Sequence, residues 1–378
     1  MKKILIYGPT NIRGGIETFV EQVLKEIKDE AQIDIVNFSG GDIALSYDLL
    51  KKSNVSIVNL EFESGIRQAL TQKNAKILGK FLQNRVYDYF HINENTPAAW
   101  KLAEVGIKNG ARVIYHSHNS SSPRMSAGWL QRNMYKMIYF YQKSRLSKLN
   151  VVKVAVSDQA AKWMFKTADD VSFLWNGVDA KQYKFDLINR DVLRGSNGVS
   201  GIKKIGLFVG RISKQKNLDK VLSVAKTAIN NGVLSEFWLV GQGNLSESIE
   251  RLEIRVRNKI KYYGVQSEIS QWYSAADVLL MPSFYEGLPY NVVEAQASGL
   301  PVVLSSTITS QTQYTDLLKF VSLTDSDDVW VSAIETVLSD NFAERQTYWE
   351  KTRSSIFSKE IFRRSVATLY GLNLSEKR

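Results

Sequence analysis

Two acidic residues, Glu286 and Glu294, lie eight positions apart where the apolar run 276–282 gives way to a helical pattern. A loop that leaves a buried strand and opens a helix points backbone N–H groups, and the positive end of the helix dipole, at whatever it binds. Two carboxylates would repel a phosphate there, but they can accept hydrogen bonds from hydroxyl groups on either side of one. A sugar and a ribose joined by a diphosphate fit this chemistry. The alternative is a surface loop in which a Glu caps the helix.

Basic residues follow another strand-like run, 205–209, in the loop 210–217. A guanidinium from Arg211 and an ammonium from Lys216 would neutralise a diphosphate and stabilise it as a leaving group. Lys214 is the competing candidate, and a solvated basic loop is the alternative without a function.

A glycine pair, Gly14-Gly15, separates the first strand-like run from the first helical pattern. Glycine lets backbone approach a ligand closely, and the helix start offers unpaired N–H groups. A simple tight turn is the alternative. The pair does not form a G-x-G-x-x-G pattern, which counts against a nicotinamide or flavin enzyme.

The three histidines, His91, His116 and His118, stand at or just past strand-like runs in the first half of the chain. They could form a metal site, but no cysteine or acidic signature accompanies them. We expect instead that one histidine reaches the ligand and that another is a hydrogen-bonded structural residue. Asp325 and Asp327 form a D-x-D pattern, which we interpret as capping the helical stretch 329–338 rather than binding Mn²⁺ or Mg²⁺.

The elements that must position these residues alternate between strand-like and helical patterns, which predicts βαβ units and parallel sheets. The pattern is interrupted by a polar stretch and then starts afresh, so two Rossmann-like units are expected. We predict an N-terminal domain at 1–185, a linker at 186–202, a second domain at 203–342, and C-terminal helices at 343–378 that pack back toward the first domain. The fold class is α/β.

Composition agrees with this architecture. The chain has 378 residues, of which 44% are hydrophobic and 23% charged, as in ordinary globular proteins. It contains no cysteine, so disulfide and thiolate chemistry are excluded, and a cytoplasmic location is expected. We find no apolar run of the about 18–20 residues that a spanning helix needs. The first residues read as a strand rather than a signal peptide.

The net charge of +11 is concentrated in segment 124–166, which we call the basic–aromatic segment. It carries nine basic residues against one acidic residue, Asp158, and is rich in Trp, Tyr and Phe. This pattern suits anionic lipid at a membrane surface. Nucleic acid is ranked well below, because no nucleic-acid-binding motif accompanies it. A helix with core aromatics and solvated lysines is the alternative.

Taken together, these residues resemble a retaining glycosyltransferase of family 4 with the GT-B fold, in which two Rossmann-like domains face each other across a cleft. The most specific match is the E-x7-E signature, which falls on Glu286 and Glu294 and continues into 295–303. Further matches are the segments 14–15, 112–118, 176–179, 209–217 and 241–243. The short form of the loop at 285–289 resembles bacterial members that build capsular or exopolysaccharide repeat units.

The resemblance implies a role for each matching residue. Glu294 would hold the ribose hydroxyls and Glu286 those of the donor sugar, while Arg211 and Lys216 would bind the diphosphate. His118 would face the donor sugar, with His116 as the alternative. Further donor-binding positions are Gly14, Gly15, Gly241 and Gly287, together with Leu288, Tyr290 and Asn291, which supply N–H groups that Pro289 lacks.

The resemblance also implies a mechanism. The leaving diphosphate would accept the acceptor's proton on the front face, and the two cations would replace a metal, so neither a metal nor a cofactor is expected. UDP is the favoured nucleotide and a lipid-linked sugar the expected acceptor. The remaining alternatives are a nucleotide-sugar epimerase or hydrolase of the same fold, and a non-catalytic partner subunit.

Overall fold

The computed structural model describes residues 1–27, 29–51, 54–63, 72–122, 128–167, 169–199, 202–338 and 342–373. The chain forms two compact units. The first comprises Met1–Gly177 together with the chain from Glu360 onward, and the second comprises Val178–Lys359.

The first unit is built on a seven-stranded parallel sheet of order β3-β2-β1-β4-β5-β6-β7. Its interior strand β1 carries Ile4, Leu5, Ile6 and Tyr7, which are all buried, as expected of a strand covered on both faces. The strands are β1 Lys2–Tyr7, β2 Ala31–Asn37, β3 Val55–Asn59, β4 Tyr89–Glu94, β5 Arg112–Ser117, β6 Val152–Ala155 and β7 Val171–Phe173.

The helices of the first unit connect these strands. They are α1 Gly15–Ile27, α2 Tyr47–Leu50, α3 Lys73–Leu82, α4 Trp100–Lys108, α5 Trp129–Leu146 and α6 Asp158–Met164. The sequence pattern predicts a helix at 66–83, of which residues 66–71 lie outside the described residues.

The second unit has a six-stranded parallel sheet of order β10-β9-β8-β11-β12-β13. Its strands are β8 Ile205–Val209, β9 Glu236–Val240, β10 Ile260–Tyr262, β11 Val278–Met281, β12 Val302–Ser305 and β13 Leu318–Val321. Its helices are α7 Leu187–Ser196, α8 Leu218–Asn230, α9 Ser246–Glu250, α10 Ile254–Arg257, α11 Ile269–Ala275, α12 Tyr290–Ala297, α13 Asp327–Val337, α14 Phe342–Arg345 and α15 Tyr348–Arg353.

The strand order of the two sheets positions the candidate residues. In each sheet the chain order reverses beside the first strand of the unit, between β1 and β4 and between β8 and β11. The carboxyl ends of strands at such a switch point form the crevice where open α/β sheets bind ligands. The loops after β8 and β11 carry the predicted basic residues and Glu286, so they emerge side by side.

The segment predicted as a linker, 186–202, differs from that expectation because it contains helix α7. Asp186 caps this helix by accepting a hydrogen bond from Asn189 N at 3.0 Å. Arg190 and Arg194 point into the second unit and are buried against Asp277, with N–O distances of 2.6 and 3.2 Å. A polar sequence therefore hides a packed helix, because its charges are paired inside the unit.

The last helix, α16 Lys359–Tyr370, packs in the first unit, whereas α14 and α15 belong to the second. The Phe362 ring meets Phe19 of α1 edge-on at 5.9 Å. At the other end of α16, the Tyr370 hydroxyl lies 2.6 Å from His91 Nδ1. The C-terminal segment therefore completes the core of the first unit.

Candidate functional site

The Glu loop, residues 282–289, connects β11 to α12 and is held by hydrogen bonds from the end of β12 and the residues that follow it. Ser305 Oγ and Thr307 Oγ1 both donate hydrogen bonds to Ser283 O, at 2.8 and 2.9 Å. Glu286 is only 7% exposed, and Pro289, not Glu286, occupies the N-cap position of α12. The alternative of an exposed loop with a capping Glu therefore does not describe this carboxylate, which is buried at the end of the sheet.

Glu286 is paired with a base from the neighbouring loop. Lys216 Nζ lies 2.8 Å from Glu286 Oε1, and both side chains are largely buried. Gln215 Nε2 donates to Tyr285 O at 3.0 Å and lies 3.3 Å from Glu286 Oε2. Phe284 N donates to Gln215 O at 2.9 Å, which fastens the two loops to each other. The structure thus brings the predicted sugar-binding carboxylate and one predicted diphosphate-binding cation into direct contact.

Arg211 and Lys214 lie in the same loop as Lys216 but are exposed. The turn before them requires glycine, because Gly210 has φ +149°. The turn after β9 also requires glycine, because Gly241 has φ +141°. A Cβ on Gly241 would lie 1.9 Å from Gly210 O. Gly241 N donates to Gly264 O at 2.7 Å, so this N–H is already engaged. Gly241 therefore allows the loops after β8 and β9 to pack closely against each other.

Glu294 lies one turn into α12 and is oriented by two tyrosines. Tyr183 OH donates to its Oε1 at 2.9 Å, and Tyr273 OH donates to its Oε2 at 2.8 Å. Tyr273 is fully buried, and burial together with the nearby Glu294 charge raises its pKa well above the usual value. Burial, followed by the Glu294 charge, also raises the pKa of Tyr290. Tyr273 and Tyr290 therefore remain protonated beside the Glu294 carboxylate. Tyr183 and Tyr273 hold that carboxylate as hydrogen-bond donors.

The first turn of α12 is anchored to the same strand end as the basic loop. Asn291 Nδ2 donates to Val209 O, the last residue of β8, at 2.7 Å. Gly287 and Leu288, which precede this turn, are buried. The predicted donor-binding residues of the second unit thus converge on the carboxyl ends of β8 and β11.

The three histidines gather in the first unit, with His91 within β4, His116 near the end of β5 and His118 just past it. The Phe19 ring meets all three edge-on, with centroid distances of 5.8 Å to His91, 4.7 Å to His116 and 4.9 Å to His118. His91 Nε2 lies 3.3 Å from His116 Nδ1, and both residues are buried. Burial lowers the pKa of His91 to about 3 and that of His116 well below its usual value. His91 and His116 are therefore neutral core residues.

His118 is only half-buried, unlike the other two. Its Nε2 lies 2.9 Å from Asn93 Oδ1, and burial lowers its pKa to about 3. Because His116 is 0% exposed, His118 is the more accessible of the two predicted candidates.

The loop between β1 and α1 is closed by Glu17, which sequence reasoning did not single out. Its Oε1 accepts hydrogen bonds from Thr10 N at 2.8 Å and from Thr10 Oγ1 at 3.0 Å. Helix α1 begins at Gly15, and the neighbours of Gly15 would leave room for a Cβ. A Cβ on Gly14 would come within 3.1 Å of Glu17 Oε2. Neither glycine has a positive φ, so the turn itself does not require the pair.

Within the described part of the chain, no group of three or more acidic, histidine or cysteine side chains is arranged to hold a metal ion. The D-x-D residue Asp327 starts α13, with Ser326 as N-cap. Its Oδ1 lies 2.8 Å from Lys220 Nζ, and its Oδ2 accepts a hydrogen bond from Ser223 Oγ. Asp327 is thus tied to helix α8 as well as to the start of its own helix.

The basic–aromatic segment folds mainly as α5, while its Arg124 lies outside the described residues. One face of α5 is buried through Tyr139, Gln142 and Leu146. The opposite face exposes apolar side chains at helical spacing: Leu130 75%, Met134 48%, Met137 76% and Tyr141 56%, flanked by Trp129 67% and Phe140 63%. The alternative of core aromatics thus holds for Tyr139 but not for this exposed face. None of the helices in the described ranges is long and apolar enough to cross a bilayer.

Comparison with known proteins adds the following findings. The sequence model of the family described as "Glycosyl transferases group 1" matches residues 189–354. A Bacillus subtilis (strain 168) protein named "Putative glycosyltransferase EpsF" is 27% identical over 340 residues, which span 85% of this chain and 84% of that protein. An Escherichia coli protein named "UDP-Gal:alpha-D-GlcNAc-diphosphoundecaprenol alpha-1,3-galactosyltransferase" is 23% identical over 237 residues, 61% of this chain and 60% of that protein.

Two solved structures share the fold over nearly the whole chain. Anabaena HepE in complex with UDP-glucose gives a TM-score of 0.75 at 18% identity, covering 98% of this chain and 100% of that one. WaaG, described as a glycosyltransferase involved in lipopolysaccharide biosynthesis, gives a TM-score of 0.75 at 14% identity, covering 97% and 100%. At these identities the likeness establishes the architecture of both units.

Proposed function

We propose that this chain is a glycosyltransferase, because residues 189–354 match the group 1 glycosyl transferases and both units share the GT-B fold, and we propose the following reaction for it. It moves a hexose-type sugar from a nucleotide-sugar donor, with UDP as the favoured nucleotide, to a saccharide acceptor, with retention of the anomeric configuration. The observation that carries this proposal is the pairing of Lys216 with Glu286 at the switch point of the second sheet.

The second unit binds the donor in this proposal. Glu294, held by its two tyrosines, accepts hydrogen bonds from the ribose hydroxyls, and Glu286 accepts them from the sugar. Lys216 and the exposed Arg211 neutralise the diphosphate, assisted by the positive end of α12 and the N–H groups of 287–291. The polar groups thus match the order ribose, diphosphate and sugar along one ligand.

Transfer breaks the bond between the sugar C1 and the diphosphate oxygen, and the acceptor hydroxyl forms its new bond to C1 on the same face. The leaving diphosphate takes the proton of that hydroxyl. Lys216 and Arg211 stabilise the charge that develops on the diphosphate, so the proposal requires neither a metal nor a cofactor. His118 meets a sugar hydroxyl, and the ligand approaches the backbone at Gly14 and Gly15, where a Cβ on Gly15 would meet no atom within 4 Å.

The acceptor in this proposal is a lipid-linked saccharide used in surface polysaccharide synthesis, at the cytoplasmic face of the membrane. Two observations support it. The name of the E. coli relative specifies a diphosphoundecaprenol-linked acceptor and a UDP-Gal donor. The exposed Lys136 lies beside Trp129 and Phe140 at the flank of the apolar face of α5, and the helix has no acidic residue, which suits contact with anionic lipid.

The experiment that tests the proposal is calorimetric titration of the pure protein with UDP, GDP, dTDP and their common sugars in the presence of EDTA. Saturable binding of one nucleotide, followed by acceptor-dependent transfer with a retained anomeric configuration by NMR, is the expected result. Free or epimerised sugar without an acceptor-dependent product would identify a hydrolase or epimerase instead. Absence of nucleotide binding would indicate a non-catalytic partner subunit.

A further inference from the structure

Asn93, at the end of β4, links His118 to the first strand of the first unit. Its Oδ1 lies 2.9 Å from His118 Nε2, and its Nδ2 donates to Tyr7 O at 3.2 Å. Asn93 is 1% exposed, so water does not compete for either contact. The backbone of Gly8 is packed against it so closely that a Cβ there would lie 2.4 Å from Asn93 O.

These contacts fix the orientation of the Asn93 amide. A flipped amide would place its oxygen against Tyr7 O, where two acceptors would face each other without a hydrogen in a buried position. The amide nitrogen must therefore face Tyr7, and the amide oxygen must face the imidazole. Since a carbonyl oxygen can only accept, His118 Nε2 must carry the hydrogen in this contact.

The remaining nitrogen of His118 is then determined as well. His91 acts electrostatically on this ring and His116 packs against it, and burial lowers the pKa of both, so both are neutral. Burial lowers the pKa of His118 to about 3, so the ring carries one hydrogen near neutral pH. With that hydrogen on Nε2, the Nδ1 atom presents a lone pair.

We infer that Asn93 is a positioning residue that holds His118 in the Nε2–H tautomer, so that Nδ1 accepts a hydrogen bond from a sugar hydroxyl. The assignment of a sugar to His118 rests on the proposed function, whereas the tautomer does not. A neutral ring with a lone pair at Nδ1 cannot donate to a phosphate oxygen. His118 therefore orients a hydroxyl rather than stabilising the diphosphate.

The edge contact with Phe19 supports this role. The centroid of the His118 ring lies 4.9 Å from that of Phe19 and 4.0 Å from that of His116. The imidazole is thus confined by two rings while Asn93 sets its protonation. Positioning by an amide has a chemical advantage over a carboxylate, because a carboxylate would favour the imidazolium and turn Nδ1 into a donor.

The tautomer can be measured directly, because the chain has only three histidines. We would label the full chain with [¹⁵N]histidine and record long-range ¹H–¹⁵N spectra from about pH 6 to about pH 8, across the neutral range. The expected result is a His118 ring with Nε2 protonated and Nδ1 unprotonated throughout. A ring with hydrogen on Nδ1, or a mixture of both tautomers, would overturn the inference whether or not the protein transfers sugar.

Variants then test whether Asn93 is the cause. Asn93→Ala should leave His118 with a mixture of tautomers and lower kcat/KM for the donor about tenfold, the worth of one hydrogen bond. The affinity for UDP alone should not change, because Glu294 and Lys216 bind it. Asn74→Ala is the matched control, since Asn74 is also buried in the first unit and makes two hydrogen bonds, to Glu63 N and O at 2.8 and 2.9 Å. An unchanged tautomer in Asn93→Ala would refute the inference. Failure of the wild-type protein to bind UDP would refute only the proposed function.

Asn93→Asp provides a second test that keeps an acceptor for His118 Nε2–H but removes the donor to Tyr7 O, so its stability is measured alongside. The carboxylate would still accept from Nε2–H, but its charge should raise the pKa of His118. Activity should then fall as the pH drops through the new pKa, because the imidazolium Nδ1 donates and no longer accepts. A pH profile identical to that of wild type would contradict the role assigned to Nδ1.

Discussion

Lys216 Nζ and Glu286 Oε1 are 2.8 Å apart, and their side chains are only 15% and 9% exposed. The two predicted functional groups therefore compensate each other before any ligand is present. A buried pair of this kind contributes little compared with an apolar pair, but loss of one partner leaves a charge stranded. A sugar diphosphate that engages both groups would enter between a cation and an anion that are already positioned.

Lys216→Met should destabilise the second unit by about 3 kcal/mol, because it leaves the Glu286 carboxylate buried without its counter-ion. Glu286→Gln in the same background should restore most of that stability, since the charge is removed, while transfer stays abolished. Chemical denaturation measures the first effect and a transfer assay the second. Additive losses in the double variant would mean that the pair is not coupled. Glu286→Gln alone should reduce turnover more than it weakens binding of free UDP.

Tyr273→Phe should weaken UDP binding about fivefold, because Glu294 loses one of the donors that orient it for ribose. Glu294→Ala should weaken it further. The comparison ligand is 2′,3′-dideoxyuridine diphosphate, whose affinity should be the same in wild type and Tyr273→Phe. Tyr263→Phe is the matched control, since the Tyr263 hydroxyl is buried and makes no hydrogen bond within the described residues. Equal effects of both Tyr→Phe changes would show that Tyr273 acts on packing alone.

The buried histidines should make the protein less stable in mild acid. The pKa of His91 falls from its ordinary value of 6.5 to about 3 on folding, so between these values the unfolded chain binds a proton that the native chain does not. Stability that is complete above pH 6.5 is therefore lost as the pH falls toward 3, by up to about 1.4 kcal/mol per pH unit for one histidine.

His91→Gln tests this prediction because glutamine does not titrate and can still hydrogen-bond Tyr370. Unfolding free energies of wild type and variant are compared at about pH 7.5 and about pH 5, which lie roughly one unit above and roughly one and a half units below the ordinary histidine pKa. The difference at the higher pH isolates the change in packing. The variant should lose less stability in acid than wild type; equal losses would exclude His91 as a source of the pH dependence.

Replacement of Leu130, Met137 and Phe140 by Ser should abolish co-sedimentation with vesicles that contain anionic lipid, because the exposed face of α5 loses its apolar area. Lys136→Glu should weaken binding in a salt-dependent way. Lys143 is not suitable for this test, because its Nζ donates to Lys162 O and Trp163 O at 2.6 and 2.9 Å. Ile254→Ser is the control, since Ile254 is 66% exposed on a helix of the second unit. Unchanged binding of the triple variant would remove the membrane from the proposal.

The fold class follows from local patterns that the sequence displays directly. The buried strands β1, β8 and β11 are short apolar runs, and the loops after β8 and β11 carry glycine and proline at the turns. Parallel strands place such loops along one edge, so Lys216 and Glu286 could be expected near each other from topology alone. The helix within 186–202 could not, because arginines are rarely buried and their partner Asp277 is distant in the chain.

The sequence by itself determined the chemical types at the proposed donor site: two carboxylates, two cations and the glycines beside them, all within short motifs. Only the tertiary structure decided how they are held. Tyr183 reaches Glu294 and Asn93 reaches His118 across long stretches of chain, and Tyr370 returns from the last helix to His91. The physical reason is that a hydrogen bond depends on atoms that meet in space, and a residue pattern records spacing along the chain but not which distant side chains the folded sheets bring together.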